Sequence, residues 1–249
     1  MNINQLSALT KLLSTNPNEA KALIKLVSID VLKSLGESKY SVILQNKTLT
    51  AQSEKPLSEG AKYWSQLSQS KDATPKLSHL LKMPQLLSTF QSTGIEYSLK
   101  ELHTLLNAKK PEALLKQNIL EHLSSANTKE EFSSASSLLL SLQSNIFTIP
   151  LVLHNSFSLV QFKKRYNTKT KKTHIDFYAA LELLGPISGV IALDESVIEI
   201  ELCVAFVQTK IFLENDLKNF SYNTINISLI ENIEPLYDTK HHALLDISI

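Results

Sequence analysis

The sequence predicts an α+β fold: a small β-barrel-like module first, a helical middle, and a C-terminal sheet with one packed helix. Three observations lead there. Alternating apolar and polar runs fill much of the segment before Ser70 and return after Asn145. Between them, leucines recur at helical spacing behind capping signals. The alternation is cleanest from Ile198 to Phe206, just ahead of an amphipathic stretch. The expected division is a flexible N-terminus over 1–21, a barrel-like module over 22–70, a helical region over 71–144 and an α+β domain over 145–249.

With 249 residues and 43% hydrophobic content, the chain can bury one large core or two modest ones. Its first stretch, MNINQLSALTKLLSTNPNEA, lacks a basic start followed by an apolar core. No run reaches the ~20 apolar residues of a membrane span, so a cytoplasmic protein without a cleaved signal is expected. From Ala22 the runs LIKLVSIDVLKSLG, KYSVILQNKTLTAQS and AKYWSQLSQ read as short strands. Val42, Leu44, Leu49 and Ala51 share a face, Asn46-Lys47 marks a tight turn, and Pro56-Leu57 with Glu59-Gly60 marks another. Lys39-Tyr40 and Lys62-Tyr63-Trp64 combine cations with aromatic rings. Oligonucleotide-binding barrels stack bases with such residues, which makes a nucleic-acid-binding module the alternative function.

Ser68 to Pro75 is polar and reads as a domain boundary. Leu77, Leu80 and Leu81 then form a helical stripe before Pro84, and Leu86, Leu87 and Phe90 a second before Gly94. Ser98 with Glu101, and Thr128 with Glu131, have capping-box spacing; Pro111 opens a helix between them. The last of these helices holds Phe132, Ala135, Leu138, Leu139 and Leu142. After Asn145, IFTIPLVLHN and SFSLVQFKKRYN form a hairpin through His154-Asn155-Ser156. A basic tip follows, with six Lys or Arg among the ten residues from Lys163 to Lys172, and the chain returns as THIDFYAALEL. Ile198, Ile200, Leu202, Val204 and Phe206 alternate with Glu199, Glu201, Cys203 and Ala205, and Leu213, Leu217 and Phe220 then give one face of a helix. Ile225 to Ile230 is a short strand, and the closing LLDISI is apolar enough that it should dock against the sheet.

Little in this inventory supports chemistry. The five glycines contain no phosphate-binding loop, and the single Cys203 has no partner for an internal disulfide. Glu199 and Glu201 lie about 7 Å apart on one strand face, but the alternate face is apolar and must be buried, which turns the carboxylates to water. His241-His242 near Asp238 and Asp246 suggests a metal, yet adjacent histidines on an extended chain point to opposite faces. No GxSxG elbow is present. The expectation is a protein that is not an enzyme and uses no cofactor or metal. Net charge is +1 but unevenly placed: residues 1–172 hold 22 basic and 12 acidic side chains, and residues 173–249 hold 3 and 12. An acidic C-terminal part of net −9 suits a basic protein partner, with charge steering the encounter. The hairpin tip suits an acidic surface or a nucleic-acid backbone.

A strand ending in Leu183-Leu184-Gly185-Pro186-Ile187, a Val190-Ile191-Ala192-Leu193 strand, an Ile198-to-Phe206 strand and a Leu-rich helix follow in order. This order resembles the C-terminal domain of the flagellar hook-length control proteins, over Ile175 to the end. Val31-Leu32-Lys33-Ser34-Leu35-Gly36 and the strands after it are similar to a barrel-like module upstream in that family. The resemblance implies a non-enzymatic regulator that is itself exported through the flagellar type III apparatus. Such a protein senses hook length and switches export from hook to filament substrates. It further implies that Leu183, Leu184, Gly185, Pro186, Ile187, Val190, Glu199 and Glu201 meet the cytoplasmic domain of the export gate's switch subunit, with hook or hook-cap subunits as further partners. This chain is short for the family, and a Leu-rich, foldable middle replaces the usual Pro/Gln/Ser-rich linker. About 150 residues fully extended would reach roughly 500 Å; measuring length therefore requires unfolding in the channel.

Overall fold

Inward-outward alternation from Lys25 onward builds β1 (Lys25–Gly36), β2 (Lys39–Leu44) and β3 (Lys47–Ser53), with Val27, Ile29, Val31, Val42, Leu44 and Ala51 inside. They belong to a computed structural model that describes residues 25–69, 75–93, 95–153, 156–168, 172–194, 197–216 and 224–239. The chain divides into two units, Met1–Met83 and Pro84–Ile249. In the first, β4 (Lys62–Gln69) and β5 (Pro75–Lys82) complete a closed barrel of order β1-β2-β3-β5-β4, in which β4 pairs back onto β1. Only the β3–β5 pairing is parallel. Five-stranded barrels include the oligonucleotide-binding folds.

Both hairpin turns use two residues with positive φ, Glu37-Ser38 (51° and 59°) and Gln45-Asn46 (49° and 61°), as tight hairpins require. The second lies one position before the expected Asn46-Lys47. β1 carries two bulges, and its extra residues, Leu32 and Leu35, are its exposed large hydrophobics. The connection from β3 to β4 lays Leu57 against the core. The Tyr40 and Tyr63 hydroxyls accept hydrogen bonds from the Leu57 and Ser58 amides at 3.2 and 3.0 Å.

The expected helix through Leu77, Leu80 and Leu81 is strand β5 instead. His79 adopts φ 48° at a bulge, where β5 inserts an extra residue against β4. The insertion makes both Leu77 and Leu80 point inward, so a strand imitates a spacing of three. Accordingly Ser68 and Gln69 end β4 and Pro75 opens β5, so the expected boundary falls between two paired strands of the barrel, with 70–74 outside the described residues.

In the second unit, α1 (Gln85–Thr93), α2 (Leu99–Leu106), α3 (Pro111–Ser125) and α4 (Lys129–Gln143) precede β6 (Phe147–Leu153). The Ser98/Glu101 and Thr128/Glu131 capping boxes both form, and Pro111 stands in the first turn of α3. On α4 the buried face includes Ser134, Ser137 and Ser141 beside Ala135, Leu138 and Leu142, while Phe132 is exposed. The Ser134 and Ser137 hydroxyls donate to carbonyls four residues back at 2.8 Å, so these serines are buried with their donors satisfied.

β7 (Ser156–Asn167), β8 (Lys172–Leu181), β9 (Gly185–Asp194) and β10 (Val197–Val204) continue from β6 as an antiparallel meander. After β10, α5 (Val207–Asp216) crosses over to β11 (Thr224–Leu229), which pairs parallel to β10. The sheet order is β11-β10-β9-β8-β7-β6. Helices α1 and α4 pack on this sheet at β7 and β6. At Gly189 a Cβ would lie 2.1 Å from the Glu201 carbonyl oxygen and 2.7 Å from the Phe177 ring, which explains the glycine.

A buried polar chain ties the following segment to this sheet. Gln161 Nε2 donates to the Tyr237 carbonyl at 2.8 Å, and the Tyr237 amide donates to Gln161 Oε1 at 3.1 Å. Gln161 Nε2 also reaches Thr148 Oγ1 at 3.3 Å, Thr148 Oγ1 meets Ser141 Oγ at 2.5 Å, and Ser141 Oγ donates to the Ile146 carbonyl at 2.9 Å. The chain beyond β11 thus docks on the sheet at Tyr237; the docking expected of LLDISI falls outside the described residues.

Candidate functional site

Register places the β8–β9 turn, the start of α5 and the end of β11 together. Val204, the last residue of β10, lies opposite Ile187 on β9 and Leu229 on β11. The turn of Glu182, Leu183 and Leu184 is closed by Gly185 at φ 78°, a conformation glycine adopts without strain. Thr209 of α5 is buried, and its hydroxyl donates to the Leu184 carbonyl at 2.5 Å, locking the helix to the turn. The Ile230 amide donates to the Val204 carbonyl at 2.9 Å.

Apolar side chains at this end face water. Leu183 is 70% exposed; Val207, Ile211 and Phe212 of α5, with Leu229 and Ile230, are exposed as well. Gly185, Pro186 and Ile187 are buried beneath them and Leu184 is half-buried. Their role is to hold Leu183 out. An exposed apolar cluster on rigid supports is the usual anatomy of a protein-docking surface.

The eight residues predicted from the sequence do not form one patch. Val190 and Glu201 lie about 10 Å, and Glu199 about 17 Å, further along the strands, on the face opposite Ile187, where Glu201 is directly across from Val190. Both glutamates are exposed, and among the described residues neither has a cationic partner within ion-pair distance. Sequence reasoning missed Val207, Ile211 and Phe212 because it set the helix nearly two turns late, on Leu213, Leu217 and Phe220. The helix begins at Val207, Leu213 is half-buried, and Leu217 and Phe220 lie outside the described residues. The signal that was available is Val207, Ile211 and Phe212 at i, i+4 and i+5 directly after the strand.

Electrostatics elsewhere in the unit are local. Arg165 pairs with Asp176, and His174 Nε2 lies 3.5 Å from the same carboxylate. Lys164, Arg165 and Tyr166 of the β7–β8 hairpin are exposed. Burial, and secondarily the Asp238 charge, raises the phenol pKa of both Tyr178 and Tyr237, so these rings are neutral. Tyr40 and Tyr63 belong to the barrel core and Trp64 is 1% exposed, leaving none of the three free to stack on a base. Among the described residues, no three His, Cys, Asp or Glu side chains are grouped to hold a metal, and no helix is long and apolar enough to cross a membrane. His241 and His242 lie outside the described residues. Compared with known proteins, the chain matches no family model, no curated protein and no solved structure.

Proposed function

We propose that this chain is a non-enzymatic regulator of flagellar type III export, of the hook-length control kind. It acts by docking the exposed end of its second unit on the cytoplasmic domain of the export gate's switch subunit. The observation that carries this reading is the β8–β9 turn. The Leu183-Leu184-Gly185-Pro186-Ile187 motif at the centre of the family resemblance is also where the fold presents Leu183 to solvent beside the exposed α5 residues. Desolvating Leu183, Val207, Ile211 and Phe212 supplies affinity. The net −9 of residues 173–249 supplies orientation and rate against a basic partner. Helices α1 to α4 are folded with the sheet rather than strung out as a linker, so length sensing by this chain requires unfolding during transit.

The test is calorimetric titration of the full chain with that cytoplasmic domain. Wild type binds, and Leu183→Asp, which alters an exposed turn residue, abolishes binding while the circular dichroism spectrum stays unchanged. Absence of binding by wild type at hundreds of micromolar sinks the reading. The nucleic-acid alternative rests on Lys163, Lys164, Arg165 and Tyr166 of the hairpin. An oligonucleotide gel shift at low salt that shows no shift removes it.

A further inference from the structure

The two edges of the six-stranded sheet are treated differently. At β6, Pro150 stands within the strand and lacks an N–H to offer, and Tyr97 bridges to it: the Tyr97 amide donates to the Pro150 carbonyl at 2.9 Å and the Val152 amide to the Tyr97 carbonyl at 3.1 Å. At the other edge, β11 is TINISL, without charge, proline or bulge. Among the described residues no strand pairs with its outer side. Edges left in that state invite another strand.

The ladder fixes which groups point outward. Because the Ile230 amide donates to Val204, residue 230 and, by the period of two, Ser228 and Asn226 turn their backbone groups toward β10. Ile225, Ile227 and Leu229 therefore turn their N–H and C=O away from the sheet. Their side chains lie on the face of Ile200, Leu202 and Val204, while Asn226 and Ser228 occupy the other face.

We propose that β11 is a self-association edge whose occupant is β11 of a second copy, paired antiparallel about a two-fold axis at Ile227. In that register Ile227 meets its own counterpart, Ile225 meets Leu229, and Asn226 meets Ser228. Every outward donor of Ile225, Ile227 and Leu229 then finds an outward acceptor. The apolar face continues into the copy's apolar face and the uncharged polar face into its equivalent, with no like-charge contact. A slip of one residue would set apolar against polar side chains, and a slip of two would take one of the three outward residues off the partner β11, so the register centred on Ile227 pairs the most groups. A strand without charge offers nothing to select a charged foreign segment, and it is complementary to itself. Exposed Ile211 and Phe212 of α5, which packs on β11, add apolar surface beside the ladder. Leu183, the centre of the export-gate reading, is not on this edge, whereas Ile211, Phe212 and Leu229 are common to both surfaces.

Sedimentation velocity of the full chain, from low micromolar to near-millimolar, is expected to show a monomer–dimer equilibrium. Ile227→Lys and Ile227→Glu each place like charges across the axis and should weaken the dimer by ~10-fold or more. An equimolar mixture of the two should restore it, because residue 227 meets residue 227. In wild type, which needs no substitution to fold, hydrogen exchange at the amides of Ile225, Ile227 and Leu229 should slow with concentration, while Asn226 and Ser228 stay unchanged. A monomer at every concentration overturns the proposal. So does a dimer indifferent to both substitutions, or one that the mixture fails to restore.

Discussion

The barrel and the six-stranded sheet handle the same difficulty, unpaired strand edges, in opposite ways. The barrel closes on itself, through β1 with β4 and β3 with β5, and has no edge left. Apart from bulge residues Leu32 and Leu35, its large hydrophobic residues are at least half-buried in the described part. The sheet stays open, guards β6 with Pro150 and Tyr97, leaves the outer side of β11 unpaired among the described residues, and leaves Leu183 and the α5 residues in water. Closure uses up the surface a partner would need, and openness keeps it available. On this contrast the second unit, with its open edge and exposed apolar residues, is the one for which binding is proposed.

The contrast predicts where substitutions hurt most. An open sheet relies on close strand-to-strand fit, and Gly189 is its tightest point. Gly189→Val should cost about 3 kcal/mol or more, because the added Cβ meets backbone at Glu201 as well as the Phe177 ring. Urea denaturation followed by hydrogen exchange should show the loss in residues 84–249 with the barrel amides unaffected. Equal loss in both units would contradict their independence.

A pair of substitutions sharpens the comparison at a smaller scale. Gln161 anchors the chain at Tyr237 across 76 residues of sequence, whereas Tyr40 anchors the barrel's β3–β4 connection through one amide. Gln161→Leu leaves a buried N–H and a buried C=O without that partner and should cost about 2 to 3 kcal/mol; Tyr40→Phe should cost about 1 kcal/mol. Loss of exchange protection at the Tyr237 amide in the first variant would locate the effect. Equal costs would mean that the sheet's anchor is no deeper than the barrel's.

Legibility in the sequence followed the range of the interaction. Capping boxes at Ser98 and Thr128 and the alternation through Ile198 to Val204 were readable because each depends on neighbours within a few residues. Strand β5 was not, because one inserted residue at His79 turned a period of two into a helical spacing. The Gln161–Tyr237 contact carries no local signature at all. For the site, the motif around Gly185 located the turn, yet burial divides it: Pro186 and Ile187 are buried, and Leu183 is the residue exposed to solvent. Val207, Ile211 and Phe212 were missed because amphipathic spacing points to the inward face of the helix, that of Thr209 and Leu213, and these three lie on its outward side.

The smallest predicted effect asks whether the second unit responds as one body to a change at its periphery. The Ser98 amide and the Ser98 hydroxyl each donate to Glu101 Oε2 at 2.7 Å, and these bonds hold the carboxylate below its ordinary value of 4.5. A depressed folded-state pKa means the fold favours the charged form. The contribution is therefore complete above the ordinary glutamate range and disappears as pH falls through the lowered value. Glu101→Gln keeps an acceptor but not the charge, so it should melt slightly below wild type at neutral pH, and the two curves should converge in acid. If α2 is coupled to the sheet, exchange at β6 amides will follow the same pH course. A difference confined to α2 would restrict the open unit's cooperativity to its sheet, and one that persisted at low pH would remove the Glu101 charge as its cause.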